Sequence, residues 1–159
     1  MMEQLIEHIT QTQNISLQQL DYLLNTDDRD LIEKLRKVAQ ETAQSVYGNK
    51  IFIRGLIEFT NYCKNDCYYC GIRKSNRCVD RYRLEKETIL ACCCQGYELG
   101  FRTFVLQGGE DMFFTDDYVC EIVSSIKKNY PDCAVTLSIG ERSRESYQRF
   151  RDAGADRYL

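Results

Sequence analysis

Long apolar runs are missing from this sequence of 159 residues. No stretch approaches the roughly 20 residues that a helix needs to cross a bilayer. The first residues, Met1-Met2-Glu3-Gln4, lack the charged and apolar regions of a signal peptide, so the expected location is the cytosol. An excess of one charge is missing too. The 21 Lys and Arg are interspersed with 24 Asp and Glu for a net charge of −3, which excludes the basic stripe of a nucleic-acid binder and points to a small substrate. Histidine is nearly absent. His8 stands alone on a predicted helix face, far from the cysteines in sequence, and reads as a surface residue rather than a general base. Apolar residues make up 43% of the chain, enough to form a core and to exclude disorder over most of its length.

Cysteine, by contrast, is abundant. The count is nine, an odd number, and several of the nine are adjacent or a few residues apart, which argues against a disulfide framework. In a reducing compartment, thiols clustered at ligand spacing hold a metal or an iron-sulfur cluster.

Helical patterns come first. Leu5, Ile6 and Ile9 share a face, and Ser16 with Gln19 reads as a capping box ahead of Leu17, Leu20 and Leu24. Thr26 is the next expected cap, opening a helix with the stripe Leu31, Leu35, Val38, Thr42 and Val46 that Gly48 stops. Residues 1–49 therefore read as an N-terminal helical segment. From residue 50 the texture changes to short apolar strands alternating with helices. Strands are expected over 51–59, 101–107 and 134–139, with a fourth beginning at Asp156. Helices are expected over 85–99, from Thr115 or Asp116 to Tyr130-Pro131, and from Ser143 to Gly154 with Tyr147 and Phe150 facing inward.

Strand-helix repetition with short connections predicts an α/β fold, a parallel sheet with helices outside and functional residues at the C-terminal ends of the strands. Three polar or metal-binding elements fall at those ends: the cysteine loop, Gly108-Gly109-Glu110 and Gly140-Glu141-Arg142. Thr136 and Ser138 alternate with Val135 and Leu137, so both hydroxyls face one side of their strand, toward a barrel interior. Each is either part of a site or a locally satisfied hydroxyl. Glu141 and Arg142 are either site residues or a surface ion pair.

The spacing Cys63-x3-Cys67-x2-Cys70 carries the chemistry. A compact loop with three thiolates can hold three irons of a cubane and leave the fourth without a protein ligand, open to a cosubstrate. A zinc knot with Cys78 as fourth ligand would prefer paired C-x2-C arms. A ferredoxin-like carrier would need a fourth cysteine at short spacing. Cys92, Cys93 and Cys94 are consecutive on a predicted helix and project about 100° apart, so they cannot share one metal. Cys120 and Cys133 read as small buried residues.

This motif, with the aromatic Tyr69 before its last cysteine, resembles that of the radical S-adenosylmethionine (SAM) superfamily. The phrases Ile57-Glu58-Phe59-Thr60-Asn61-Tyr62-Cys63, Cys70-Gly71-Ile72-Arg73-Lys74-Ser75-Asn76 and Arg81-Tyr82-Arg83-Leu84 look more narrowly like the [FeFe]-hydrogenase H-cluster maturase family of the biotin synthase-like group. Gly100 to Glu110, Leu137-Ser138-Ile139-Gly140-Glu141 and Ala153 to Leu159 match it as well. The resemblance implies a (β/α) TIM-type barrel, and a [4Fe-4S] cluster on Cys63, Cys67 and Cys70 with SAM on the open iron. It also implies a 5′-deoxyadenosyl radical. It further implies SAM contacts from Tyr69 and from Gly108, Gly109 and Glu110, with Ser138 near SAM and Thr136 near the substrate cavity. The implied substrate is a small-molecule or organometallic iron carbonyl-cyanide species. The implied partners are an electron donor and other hydrogenase maturation proteins, with no nucleic acid and no membrane. Methylornithine synthase shares the scaffold and remains the alternative, beside a non-catalytic cysteine-rich metal module.

A complete barrel of this group has about six to eight strand-helix units, and this sequence supplies little more than three. Residues 50–159 are thus expected to be the first part of a barrel, truncated in the fourth strand and marginal or aggregation-prone alone.

Overall fold

The computed structural model describes residues 2–159. The chain divides into one unit that runs to Ile51 and a second, Phe52–Leu159. The first is helical, with α1 (Met2–Thr12), α2 (Leu17–Asn25) and α3 (Arg29–Tyr47). The Ser16 hydroxyl accepts from Gln19 N–H and the Gln19 side chain returns the bond to Ser16 N–H, a complete capping box. At α3 the cap is Asp28 and not Thr26. The Asp28 carboxylate accepts from both Asp30 and Leu31 N–H, two orphan donors that the single Thr26 hydroxyl, used by Asp28 N–H, does not reach. Burial along α3 fades from Leu31 to a 66% exposed Val46. The expected stripe is buried or half-buried only from Leu31 to Val38, and Thr42 is exposed like Val46.

The second unit is a four-stranded parallel sheet in the order β1-β2-β3-β4, with helices between successive strands. Its elements are β1 (Gly55–Thr60), α4 (Lys86–Glu98), β2 (Thr103–Gly108), α5 (Asp116–Asn129), β3 (Ala134–Ser138), α6 (Arg144–Asp152) and β4 (Arg157–Tyr158). This is part of an α/β barrel wall. Strand β1 starts at Gly55, four residues later than the sequence suggested, because its ladder begins where Gly55 meets Phe104. The Phe104 ring lies 3.1 Å from where a Cβ on Gly55 would stand, which suits a glycine at that contact.

Alternation decides which face is filled. Ile57, Phe59, Phe104, Leu106, Val135 and Leu137 form one core with Ile89 and Cys93 of α4, Val119, Ile122, Val123 and Ile126 of α5, and Phe150 of α6. Tyr147 does not join them: it stays at the surface, its hydroxyl accepting from Arg142 N–H and its ring set edge-on to Tyr158. The opposite face of the sheet carries two rows in register, Leu56–Val105–Thr136 and Glu58–Gln107–Ser138. Among the described residues, no helix is long and apolar enough to cross a membrane.

Candidate metal centre

Strand β1 delivers the chain into a loop that carries Cys63, Cys67 and Cys70 and returns at Arg83, which bridges back to Thr60. All three thiols are free; Cys63 and Cys70 are half-buried and Cys67 is exposed. Tight internal bonds shape the loop: Cys70 N–H donates to Cys67 C=O at 3.1 Å, Arg73 N–H to Cys70 C=O at 3.2 Å and Lys74 N–H to Asn65 C=O at 2.9 Å. The Asp66 carboxylate accepts from Ser75 N–H at 2.9 Å, and this bond, with the nearby Arg73 and Lys74, holds it below its usual range.

The Gly108-Gly109-Glu110 turn lies directly against this loop. A Cβ on Gly109 would stand 2.1 Å from the Tyr62 carbonyl oxygen and 2.7 Å from Cys63 Cβ, so only glycine lets the two backbones approach this closely. Glu110 ties the three rim elements together. Its C=O accepts from Lys64 N–H at 3.0 Å, and its carboxylate accepts from Lys64 Nζ at 2.7 Å and Asn65 Nδ2 at 2.6 Å. Lys64, with the Glu141 N–H and Asn65, holds the carboxyl below its ordinary range. Gly140, at φ +79°, has no room for a Cβ because Glu110 Cγ lies 1.8 Å from that position. A carboxylate offers about four acceptor positions, and these donors leave Glu110 little beyond one.

Residues that sequence reasoning passed over complete the scaffold. Asp111 is buried and accepts from Thr60 Oγ1 at 2.8 Å and from Arg83 through a two-toothed contact at 2.6 and 2.9 Å. The Arg83 guanidinium also lies over the rings of Tyr62 and Phe113, at 4.1 and 4.8 Å. The Arg81 guanidinium donates to carbonyl oxygens of Asn61, Ile72, Arg73 and Asn76. Their only local signal was the alternation of arginines in Arg81-Tyr82-Arg83: Asp111 lies 28 residues from Arg83 and Asn61 lies 20 from Arg81, while Asn76, Arg73 and Ile72 are nearer.

The remaining candidates fall as follows. Thr136, 4% exposed, and the half-buried Ser138 share the face opposite the helices. Tyr69 is 93% exposed beside Cys70. Glu141 and Arg142 do not pair with each other: Arg142 pairs with Asp116 at 3.5 Å and donates to Phe114 C=O. Cys93 and Cys133 are buried in the core, Cys120 is half-buried, and Cys78, Cys92 and Cys94 are exposed. His8 is exposed on α1.

Among the described residues, no three His, Cys, Asp or Glu side chains converge on a single ion. A cubane takes one thiolate on each of three irons, so its ligands stand apart, and three free thiols within residues 63–70 are a donor set that fits it.

No family model matches this chain. It is 43% identical over 136 residues to the [FeFe] hydrogenase maturase subunit HydE of Thermotoga maritima, covering 86% of this chain and 38% of that protein. It is 30% identical over 152 residues to 3-methylornithine synthase of Methanosarcina acetivorans, covering 94% of this chain and 43% of that one. The crystal structure of methylornithine synthase superposes with a TM-score of 0.85 at 26% identity, covering 97% of this chain and 46% of the other. These proteins are radical SAM enzymes with TIM-type barrels, and the chain belongs to that superfamily. Within it the higher of these identities is to the hydrogenase maturase HydE. The chain spans about two-fifths of the length of the curated relatives it matches. The superfamily as a whole works with a 4Fe-4S cluster and SAM.

Proposed function

We propose that Cys63, Cys67 and Cys70 hold a [4Fe-4S] cluster with SAM on its open iron, and that the protein serves [FeFe]-hydrogenase H-cluster assembly in the cytosol. The observation that carries the proposal is the set of three free thiols on the β1 loop, closed by glycine contact onto the Gly108-Gly109-Glu110 turn. The 43% identity to a hydrogenase maturase supports the narrower role. When bound, the cluster supplies the electron that cleaves a carbon-sulfur bond of SAM and yields a 5′-deoxyadenosyl radical.

The chain's own residues have simpler tasks. Gly108 and Gly109 let their turn close onto Thr60, Tyr62 and Cys63, which leaves its backbone at the rim for SAM. Glu110, ionised and anchored by Lys64, keeps a little acceptor capacity for the SAM amino group. Tyr69, exposed beside the last thiol, offers a ring face. Ser138 and Thr136 present hydroxyls on the interior face, toward SAM and toward the substrate, a small organometallic species. An electron donor and other maturation proteins are the partners in this reading. Residues 50–159 serve as the first part of the barrel and 1–49 as a helical preface. The likeness to methylornithine synthase in sequence and fold favours an amino-acid rearrangement as the second reading.

The test is made on anaerobically reconstituted protein: iron, sulfide and zinc content, then electron paramagnetic resonance of the reduced sample with and without SAM. The expected result is about four irons and four sulfides, with a signal that shifts on adding SAM and is lost in Cys63→Ala, Cys67→Ala or Cys70→Ala. Stoichiometric zinc in a folded protein would overturn the radical reading in favour of a metal module. 5′-Deoxyadenosine released only with lysine would select the second reading over the maturase.

A further inference from the structure

We propose that Arg81 is the positioning residue that shapes the thiol loop before any cluster arrives and sets a positive charge against the cluster once it is bound. The second half rests on the cluster reading above; the first does not. Four bonds carry the inference. The guanidinium donates to C=O of Ile72 at 2.8 Å, of Arg73 at 2.7 Å and of Asn76 at 3.2 Å, and to C=O of Asn61 on the arm leading into Cys63. One side chain thereby joins the segment before the first thiol to the segment after the last.

The same two arms are zipped beside it. Asn61 Nδ2 donates to Asp80 C=O at 2.7 Å, and Asn61 Oδ1 accepts from Tyr82 N–H at 2.8 Å. Asn76 Nδ2 closes the far side on Gly71 C=O at 2.7 Å. Only a planar fork with five donors spans so many carbonyls; the three donors of a lysine radiate from one atom and cannot.

Charge adds the second half. Among the nearby cations, Lys64 is paired with Glu110 and Arg83 with Asp111, while Arg73 donates to Tyr68 C=O and lies with Lys74 near the Asp66 carboxylate. The recorded partners of Arg81 are all carbonyl oxygens, dipoles that leave its unit charge in place. A cluster on three thiolates becomes more negative on reduction, so a fixed positive charge inside its loop stabilises the reduced form and raises its potential.

The experiment compares the 159-residue protein with its Arg81→Lys and Arg81→Gln variants. Hydrogen exchange of the metal-free proteins reads the loop directly, at the amides of Cys70, Arg73, Lys74 and Asn76, which are bonded within it. Both variants are expected to exchange there at least about tenfold faster, the loss of charge-assisted bonds converted at tenfold per 1.4 kcal/mol, while amides of β2 keep their protection. Unchanged loop exchange overturns the positioning role. Equal acceleration in loop and β2 overturns it too, by making Arg81 a residue of the whole fold. After reconstitution, Arg81→Gln is expected to hold a cluster of more negative midpoint potential than Arg81→Lys, and equal potentials overturn the electrostatic half. Wild-type protein that takes up no cluster refutes the proposed function and leaves the exchange result standing.

Discussion

Asp111 shows how one carboxylate can fasten three segments. It is buried at the end of β2, holds Thr60 of β1 and Arg83 of the returning arm, and accepts from Phe113 N–H at 3.1 Å. Burial alone would raise its pKa, but Arg83, Thr60 and the Phe113 amide together outweigh it, and the carboxyl lies below its ordinary value of 3.8. Since the folded value is the lower one, the unfolded chain binds the extra proton. The contribution is complete above the unfolded value and is lost as pH falls through the folded one. Asp111→Asn is expected to cost about 2 kcal/mol at neutral pH, because Arg83 keeps its charge and loses its partner. The gap between wild type and variant should be full well above the ordinary value of 3.8 and narrow as pH falls below it. Urea unfolding on both sides of that value checks it; a gap that does not change with pH would remove the ion pair from the account. The thiols give a second test. Burial pushes the Cys93 thiol up to about 12 and raises Cys133 as well, whereas Cys67, Cys78, Cys92 and Cys94 are exposed. Alkylation of native metal-free protein near pH 8, mapped by mass spectrometry, should therefore label the four exposed cysteines first and leave Cys93 and Cys133 for the unfolded chain.

At the scale of elements, what could be read in the sequence was what depends on near neighbours. Helix α5 is an example: Thr115 caps it, Asp116 and Asp117 sit at its start, Lys127 and Lys128 at its end, and its four buried residues keep helical spacing. One feature that depends on a distant partner was misjudged, and so were two local ones. The early start given to β1 followed an apolar run that begins ahead of its ladder, and the cap given to Thr26 ignored how far a carboxylate reaches. Tyr147 looked like core from its spacing, yet its hydroxyl found a backbone donor at the surface. Phe104 marks where β2 meets its helices: it is 1% exposed, packs on the bare backbone of Gly55 and Gly96, and stands edge-on to Tyr130 with centroids 6.3 Å apart. Phe104→Ala empties a site whose glycine walls have no side chains with which to refill it. The expected loss is about 3 to 5 kcal/mol by denaturant titration. A loss below about 1 kcal/mol would mean that the sheet and α4 collapse into the gap.

For the molecule as a whole, the alternation of strands and helices was enough to expect the parallel sheet and the gathering of three loops at one rim. It could not show that Glu110 is where those loops touch, because Lys64, Asn65 and Glu141 become its neighbours only after β1, β2 and β3 are side by side. The same sheet carries a consequence for the chain of these 159 residues handled alone. Helices cover one face, while the other exposes Glu58, Gln107 and a 55% exposed Leu56. The two-residue β4 bonds to β3, and β1 bonds to β2 and, at its end, to the arm at Arg83, so among the described residues the outer edge of β4 and the earlier part of the outer edge of β1 have no neighbouring strand. Unpaired strand edges beside apolar surface invite pairing with another chain. This polypeptide is therefore expected to associate as its concentration rises, with light scattering after size-exclusion chromatography showing a mass that grows over a tenfold dilution series. Charging the open face with Leu56→Lys should weaken that association without unfolding the core, since Leu56 lies opposite the helices. A mass that stays monomeric throughout, or a Leu56→Lys variant that associates as strongly as the parent, would show that this face and its edges are not what brings the copies together.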